Sequence, residues 1–454
     1  MSNTIKTTNP YNSESLHTYT LLSNEELNNK VSKSKKAYDD WKQESISYRI
    51  ECLNKVADRL SINQEKYALL MTQEMGKPIT ESKAEIEKCI LLCDFYIKNA
   101  EQLLSDELIE TEAHESFISY DPLGTILGIM PWNYPFWQVM RFAVPTLTAG
   151  NTILLKHASN VTGCALLIED LLKSSGYPEG CFQTLVTNHD SIEKLIEDNR
   201  IKAISLTGSE KAGQKIAEIA GKHLKKTVLE LGGNNACIIL DDANLDKYID
   251  IIVKARMQNT GQSCIAAKRF IVTKGIYDEF IERFTSKVKA LKSGNPLEKD
   301  TEIGVLARQD LADILKEQVD KSVGKGALIH YGNQIDNTYY QPTIITNVSS
   351  GMPVFDEETF GPVAAIVKVK NKDEAYDVAN NSKFGLGTMV FTEDIEDATN
   401  RILNIEDGAF FINEMVKSDP RLPFGGIKAS GYGRELSREG ILEFTNKKTV
   451  YINK

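Results

Sequence analysis

The spacing of apolar residues along the chain changes near Ser119. Before it, in EELNNKVSKSKKAYDDWK, YRIECLNKVADRLSINQEKYALLMTQEMG and ITESKAEIEKCILLCDFYIKNAEQLL, apolar positions recur every three or four residues, which predicts helices. After it, short apolar runs take over. TILGIM (125–130) and NTILLK (151–156) are each followed by a helical stretch. AISLTGS (203–209) leads into KAGQKIAEIAGKHL, ACIIL (236–240) precedes DKYIDIIVKARM, and FIVT (270–273) leads into IYDEFIERFTSKVKAL. Strand and helix alternating in this way predict a doubly wound α/β sheet, with enough units for two such domains. No repeat of fixed period is present. The terminal TVYIN, after a glycine-rich segment, reads as an isolated strand that must pair somewhere, a neighbouring subunit being one candidate.

Composition narrows the class. A chain of 454 residues exceeds one ordinary core, so two or three domains are expected. With 41% hydrophobic and 26% charged residues, it reads as a soluble globular protein. The 53 basic against 63 acidic residues give −10, which weighs against non-specific nucleic-acid binding but leaves room for a local basic pocket. MSNTIKTTNPYNSES has no apolar core and is not a secretory signal; no run approaches the roughly 20 apolar residues of a membrane span. Seven scattered cysteines fit free thiols in a reducing cytoplasm better than a disulfide framework. Cys89 and Cys93 share a helical face inside an apolar run and read as helix core. The six histidines show no metal-binding spacing, and no metal site is expected.

Against that background Cys264, in NTGQSCIAAKR (259–269), is unusual. Structural cysteines sit among apolar residues, whereas a reactive one needs access and a setting that stabilises its thiolate. In IMPWNYPFWQVMR (129–141) a strand runs into a rigid bend that fixes the Asn133 amide, which either donates to an oxyanion or merely belongs to a structural turn. TVLELGGNNA (227–236) ends a buried strand on Glu230, a carboxylate that is paired, used, or bonded to local backbone. LTGSEKAG (206–213) is a strand-to-helix junction. There Gly208 permits a tight turn, and Ser209 either caps the helix or also meets a phosphate. No GxGxxG is present. Together, a cysteine, an amide donor and a carboxylate are the parts of covalent catalysis through a thioester.

PWNYP, LTGS, LELGG, GQSC, EETFGPV (357–363) and PFGGIKASGYGRE (423–435) occur in the order found in the aldehyde dehydrogenase superfamily, which the chain resembles over nearly its whole length. KSDPRLPFGGIK and the short length resemble the compact bacterial succinate-semialdehyde dehydrogenases. The resemblance implies an α/β fold of three parts. These are a Rossmann-like cofactor domain (1–108 and 122–231), a catalytic domain (232–430), and bridging or oligomerisation segments (109–121 and 431–454) forming a β-flap. It implies NAD(P)-dependent oxidation of an aldehyde, succinate semialdehyde being the leading substrate, in a homodimer or dimer-of-dimers tetramer in the cytoplasm. Cys264 is then the nucleophile, Asn133 with the Cys264 N–H the oxyanion donors, and Glu230 the base that activates water. Gly261 and its small neighbours would let aldehyde and nicotinamide approach. Glu358 and Phe360 match contacts to the nicotinamide ribose and ring, Lys156 the adenosine ribose, Trp132, Gly208 and Ser209 the pyrophosphate region. Arg141, Trp137 and Ser418 match a substrate-carboxylate pocket, Arg141 being equally open to pairing with an acidic side chain.

The chain also departs from that pattern. His157 stands where most relatives have proline, and is read as a packing residue. Ser159 replaces the glutamate of NAD-preferring relatives, so NADP acceptance is expected, alone or beside NAD. Ala266 excludes a disulfide to the nucleophile at that position, and Gln258 replaces a carboxylate-binding arginine of some relatives. The alternatives are another small aldehyde, such as lactaldehyde or a sugar-derived one, and a catalytically silent relative, which retention of Cys264, Glu230 and Asn133 weighs against.

Overall fold

The computed structural model describes residues 3–454. A hairpin of Thr4–Thr8 and Ser15–Thr20 precedes the helices. It went unread because its residues are mostly polar and carry no clear apolar alternation. The helices follow as Asn24–Trp41, Ile46–Ile62, Gln64–Met75 and Ile79–Leu103. The first begins on a capping box: Ser23 accepts the Glu26 N–H and the Glu26 carboxylate accepts the Ser23 N–H. The long YRIE…QEMG stretch is two helices. Asn63 breaks it, leaving helical geometry and donating its amide back to the Arg59 carbonyl at 2.9 Å. Gly76 closes the third helix in the left-handed region, φ 78°. Cys89 and Cys93 are buried in the fourth, as core.

Five parallel strands form the first large sheet: β1 (Thr125–Met130), β2 (Thr152–His157), β3 (Phe182–Thr184), β4 (Ile201–Thr207) and β5 (Lys226–Glu230), in the order 5-4-1-2-3. Gly431–Tyr432 adds an antiparallel edge beside β5. A second sheet is built from β6 (Ala236–Ile239), β7 (Arg269–Thr273), β8 (Leu328–Tyr331), β9 (Thr343–Thr346), β10 (Val363–Val369), β11 (Thr388–Phe391) and β12 (Phe410–Ile412). Its order is 8-9-10-7-6-11-12, parallel except for β8. Helices cover these sheets, which is why their strands read as continuous apolar runs.

The terminal strand, whose partner the sequence left open, finds one within the chain. Thr445–Ile452 pairs antiparallel with Glu115–Pro122 of its own chain, from Thr445 opposite Pro122 to Ile452 opposite Glu115. Glu107–Leu108 completes that three-stranded sheet. TVYIN thus has an intramolecular partner; long-range pairing of this kind leaves no mark on local sequence.

The sheet topology positions the site. The carboxyl ends of β1, β2, β4 and β5 deliver the Asn133 turn, Lys156, the Gly208–Ser209 junction and Glu230. The segments carrying Cys264 and Glu358 run instead into the amino ends of β7 and β10. Beyond β1, the helix Trp137–Thr148 is buried at every position, as expected of a helix enclosed on all sides.

Candidate active site

The Cys264 loop is fixed by its backbone. Asn259 and Thr260 adopt left-handed conformations (φ 56° and 52°), costly for residues with a Cβ and sustained only by surrounding contacts. The Asn259 N–H donates to Glu81 Oε2 at 2.8 Å, and its side-chain amide donates to the carbonyls of Asn133 (2.8 Å) and Gln262 (3.2 Å). Gly261 follows at φ 72°. A Cβ there would lie 2.4 Å from the Gly361 oxygen and 2.5 Å from Arg256 Nη2. Packing against Gly361 and Arg256 therefore requires a glycine here. Lys268 donates to the carbonyls of Ser263 (3.0 Å) and Cys264 (2.8 Å) and to Glu358 Oε1 (2.9 Å). Burial pushes the Cys264 thiol up to about 11, while Lys268 and Arg141 pull the other way.

Asn133 lies in the turn after β1, 3% exposed, with Nδ2 donating to the Gln262 carbonyl at 3.1 Å. An amide nitrogen has a second hydrogen to give. Among the described residues the Cys264 N–H donates to nothing. Two donors, one side-chain and one backbone, are thus available beside the sulfur's own residue. His157 braces the turn, its Nε2 lying 3.0 Å from the Pro135 carbonyl and its Nδ1 3.1 Å from the Met130 carbonyl. Burial pulls this imidazole down to about 4, so it is neutral at pH 7.

Glu230 ends β5 with its side chain 2% exposed and Oε1 without a hydrogen-bond partner. A Cβ on Gly425 would lie 2.6 Å from that oxygen, so the PFGG segment makes room for the carboxyl. Burial first, and the Glu435 carboxyl second, hold Glu230 well above the usual carboxylate range; Arg141 and Arg434 oppose the shift.

The residues assigned to a nicotinamide dinucleotide form a compatible surface. Lys156 is 3% exposed, its ammonium makes no ion pair or hydrogen bond among the described residues, and burial lowers that ammonium to about 8. A buried cation without a counter-charge suits an anionic or polyhydroxyl ligand. Ser159 is exposed at the start of a short 3-10 turn. Ser209 caps the helix Glu210–Lys222 through the Ala212 N–H at 3.3 Å, and the space at Gly208 is open to about the width of a van der Waals contact. Glu358 Oε1 accepts from the Gly233 N–H (3.0 Å) and Lys268, leaving Oε2 to receive a hydroxyl. Only glycine at position 232 allows this, since a Cβ would lie 2.4 Å from Oε2. Phe360 stands edge-on to Trp132, centroids 5.6 Å apart.

Arg141 sits on the helix after the Asn133 turn, 1% exposed. Its Nε pairs with Glu435 Oε2, the alternative that the sequence left open, while Nη2 has no partner. Its guanidinium lies 4.5 Å from the centre of the Phe424 ring. Trp137 and Ser418 do meet: Trp137 Nε1 donates to Ser418 Oγ at 3.2 Å.

Several residues around the site escaped the sequence reading. Glu85 Oε1 accepts the N–H groups of both Phe136 and Trp137 at 2.8 Å, and its other oxygen pairs with the fully buried Lys77. Glu81, Glu85, Glu435 and Lys268 carry no local signal, because their partners are distant in sequence. Only the buried environment distinguishes them from surface charges.

Comparison with known proteins agrees with this geometry. Residues 1–450 match the aldehyde dehydrogenase family. A probable NADP(+) succinate-semialdehyde dehydrogenase from Synechocystis sp. is 48% identical over 451 residues, covering 99% of each chain. An NADP(+) succinate-semialdehyde dehydrogenase from Mycobacterium bovis is 44% identical over 454 residues, again with 99% of each covered. Among solved structures, succinic semialdehyde dehydrogenase from Streptococcus pyogenes in complex with NADP+ superposes with a TM-score of 0.97. It is 38% identical and covers 99% of this chain and 100% of that one. Matched over almost its whole length in sequence and in fold, the chain belongs to the aldehyde dehydrogenase family.

Proposed function

We propose that this aldehyde dehydrogenase oxidises succinate semialdehyde to succinate with NADP, through a thioester on Cys264. Arg141 is the observation that carries the substrate: it is buried, close enough to influence the Cys264 thiol, and has Nη2 unpartnered. A guanidinium nitrogen so placed can hold a carboxylate by a charge-assisted hydrogen bond. The names of the relatives from Synechocystis and Mycobacterium bovis support the same substrate and cofactor. Absence of a carboxylate at Ser159, with the unpaired Lys156 on β2, supports acceptance of a 2′-phosphate.

In this reading the Cys264 thiolate bonds to the aldehyde carbon, and the oxygen that gains charge lies between the Asn133 amide and the Cys264 N–H. When bound, the nicotinamide supplies the hydride acceptor. Glu230 then takes a proton from water, the resulting hydroxide attacks the thioester carbon, and the Cys264 thiolate leaves as succinate forms. A base held above the usual carboxylate range is better matched to neutral pH than a free glutamate.

The three-stranded sheet also supports assembly as a dimer or a dimer-of-dimers tetramer: Thr445–Ile452 is an edge strand with Tyr451 and Ile452 exposed. Light scattering in solution measures that state. Seven unpaired cysteines support a reducing compartment, the cytoplasm.

The decisive experiment compares succinate semialdehyde with butanal, an uncharged aldehyde of equal carbon count, with NADP and NAD, in wild type, Arg141→Ala and Arg141→Lys. The wild type should favour the carboxylated substrate, Arg141→Ala should lose most of that preference, and Arg141→Lys should retain more of it. No preference in the wild type overturns the substrate, and a preference undiminished in Arg141→Ala overturns the role of Arg141.

A further inference from the structure

Lys88 extends from the helix Ile79–Leu103 to Ser418, its Nζ donating to Ser418 Oγ at 2.7 Å and lying 4.2 Å from the centre of the Trp137 ring. It has no ion-pair partner: among the described residues no carboxylate lies within salt-bridge distance of it. The neighbouring acids are committed elsewhere. Glu85 holds Lys77 and two backbone N–H groups, Asp419 holds Arg421, and Glu435 holds Arg141. Gln258 brings no charge.

The hydrogen-bond count at Ser418 points the same way. A hydroxyl offers two lone pairs and one proton. Lys88 Nζ and Trp137 Nε1 occupy both lone pairs, at 2.7 and 3.2 Å. The proton must therefore point away from them, yet no acceptor receives it among the described residues, and Ser418 is 5% exposed. An ammonium with spare hydrogens, a hydroxyl proton without an acceptor and the free Nη2 of Arg141 all lack the same thing, an anionic oxygen. The Arg141 charge is already offset by Glu435, whereas that of Lys88 is not.

We infer that Lys88 is the second cation of the substrate-carboxylate site and a specificity-determining residue, acting with the Ser418 hydroxyl beside Arg141. This rests on the proposal that Arg141 faces a carboxylated aldehyde. Burial, with Arg141 nearby, brings the Lys88 ammonium down to about 8, against the opposing pull of Cys89, Glu85 and Asp419. Its charge is present below that pH and lost above it. An arginine at the same position would stay charged throughout.

The test reads kcat/KM for succinate semialdehyde divided by kcat/KM for butanal, so that titrations of Cys264 and Glu230 common to both substrates cancel. Lys88→Met should lower this ratio about tenfold or more at pH 7, the effect of losing a charge-assisted hydrogen bond. Lys88→Arg should keep it near the wild-type value. In the wild type the ratio should fall as pH rises past about 8; in Lys88→Arg it should stay flat. A ratio unchanged in Lys88→Met, while Arg141→Ala abolishes the preference, removes Lys88 from the site and leaves the proposed substrate standing. Absence of any wild-type preference removes both. A ratio that falls equally in Lys88→Arg and Lys88→Met assigns the effect to packing rather than charge, and also overturns the inference.

Discussion

Lys268 donates to the backbone carbonyl of Cys264 at 2.8 Å, and its positive charge is the largest influence drawing that residue's thiol back from the rise caused by burial. The backbone of Cys264 and the reactivity of its sulfur thus answer to one side chain. Below its raised pKa the thiolate fraction grows with pH, so iodoacetamide labelling of cofactor-free enzyme should accelerate about tenfold per unit from pH 7 to 9. Lys268→Met should label several-fold more slowly at each pH. A labelling rate flat across that range would mean the thiolate is already formed, and Cys264→Ala should remove both label and turnover.

Glu230 gives a second expectation. Steady-state turnover should fall as pH drops through its raised pKa, because the protonated carboxyl cannot take a proton from water. Glu230→Gln should release one burst of reduced cofactor per active site and then stall at the thioester. Undiminished steady-state turnover in this variant would transfer the base role to another group.

The same carboxyl carries a stability cost. A folded-state pKa raised above the unfolded value contributes stability that is complete below about 4.5, the ordinary value, and is lost as pH rises through the raised one. Glu230→Gln removes that loss. Its thermal midpoint should exceed that of the wild type at pH 8 to 9, with the gap narrowing toward pH 5. A wild type more stable at alkaline pH would contradict the assignment of burial as the cause.

Cofactor choice should turn on position 159. Ser159→Glu introduces a charge that repels a 2′-phosphate and competes for the ribose, so the ratio of kcat/KM with NADP to that with NAD should fall at least tenfold. Lys156→Met should weaken both cofactors, measured by fluorescence titration. An unchanged ratio in Ser159→Glu would place the 2′-phosphate elsewhere.

Glu85 and Lys77 offer a test of structure rather than chemistry. Their side chains are 1% and 0% exposed, and Glu85 also holds the Phe136 and Trp137 N–H groups. Glu85→Ala should cost about 3–5 kcal/mol of stability by stranding a buried ammonium. Adding Lys77→Met should recover part of that loss in denaturant melts. No recovery would mean the backbone N–H groups, not the lysine, dominate the cost.

How much of this was legible in sequence depended on range. TILGIM matches β1 residue for residue, and ACIIL and FIVT miss their strands by one residue, because apolar runs and the helices after them are local signals. Cys264, Asn133 and Glu230 stood out because a cysteine in a polar loop, a proline-bracketed amide and a carboxylate at a strand end are each locally odd. The hairpin Thr4–Thr8/Ser15–Thr20 and the pairing of Thr445–Ile452 did not, since polar strands and distant partners leave little periodicity. The pairing of Arg141 with Glu435 joins residues nearly 300 positions apart, and only the fold could choose it over the free state.

The helix Ile79–Leu103 lies in the least distinctive part of the sequence, yet Glu81, Glu85 and Lys88 project from it at intervals of four and three, along one face. They touch the Asn259 N–H, the start of the Trp137–Thr148 helix and Ser418 in turn. One rigid rod therefore sets the mutual spacing of the Cys264 loop, the Asn133 turn and Ser418. A single-residue insertion between Glu81 and Lys88 would rotate one part of that face against the other by about 100°, so the contacts on its two sides could no longer be made together.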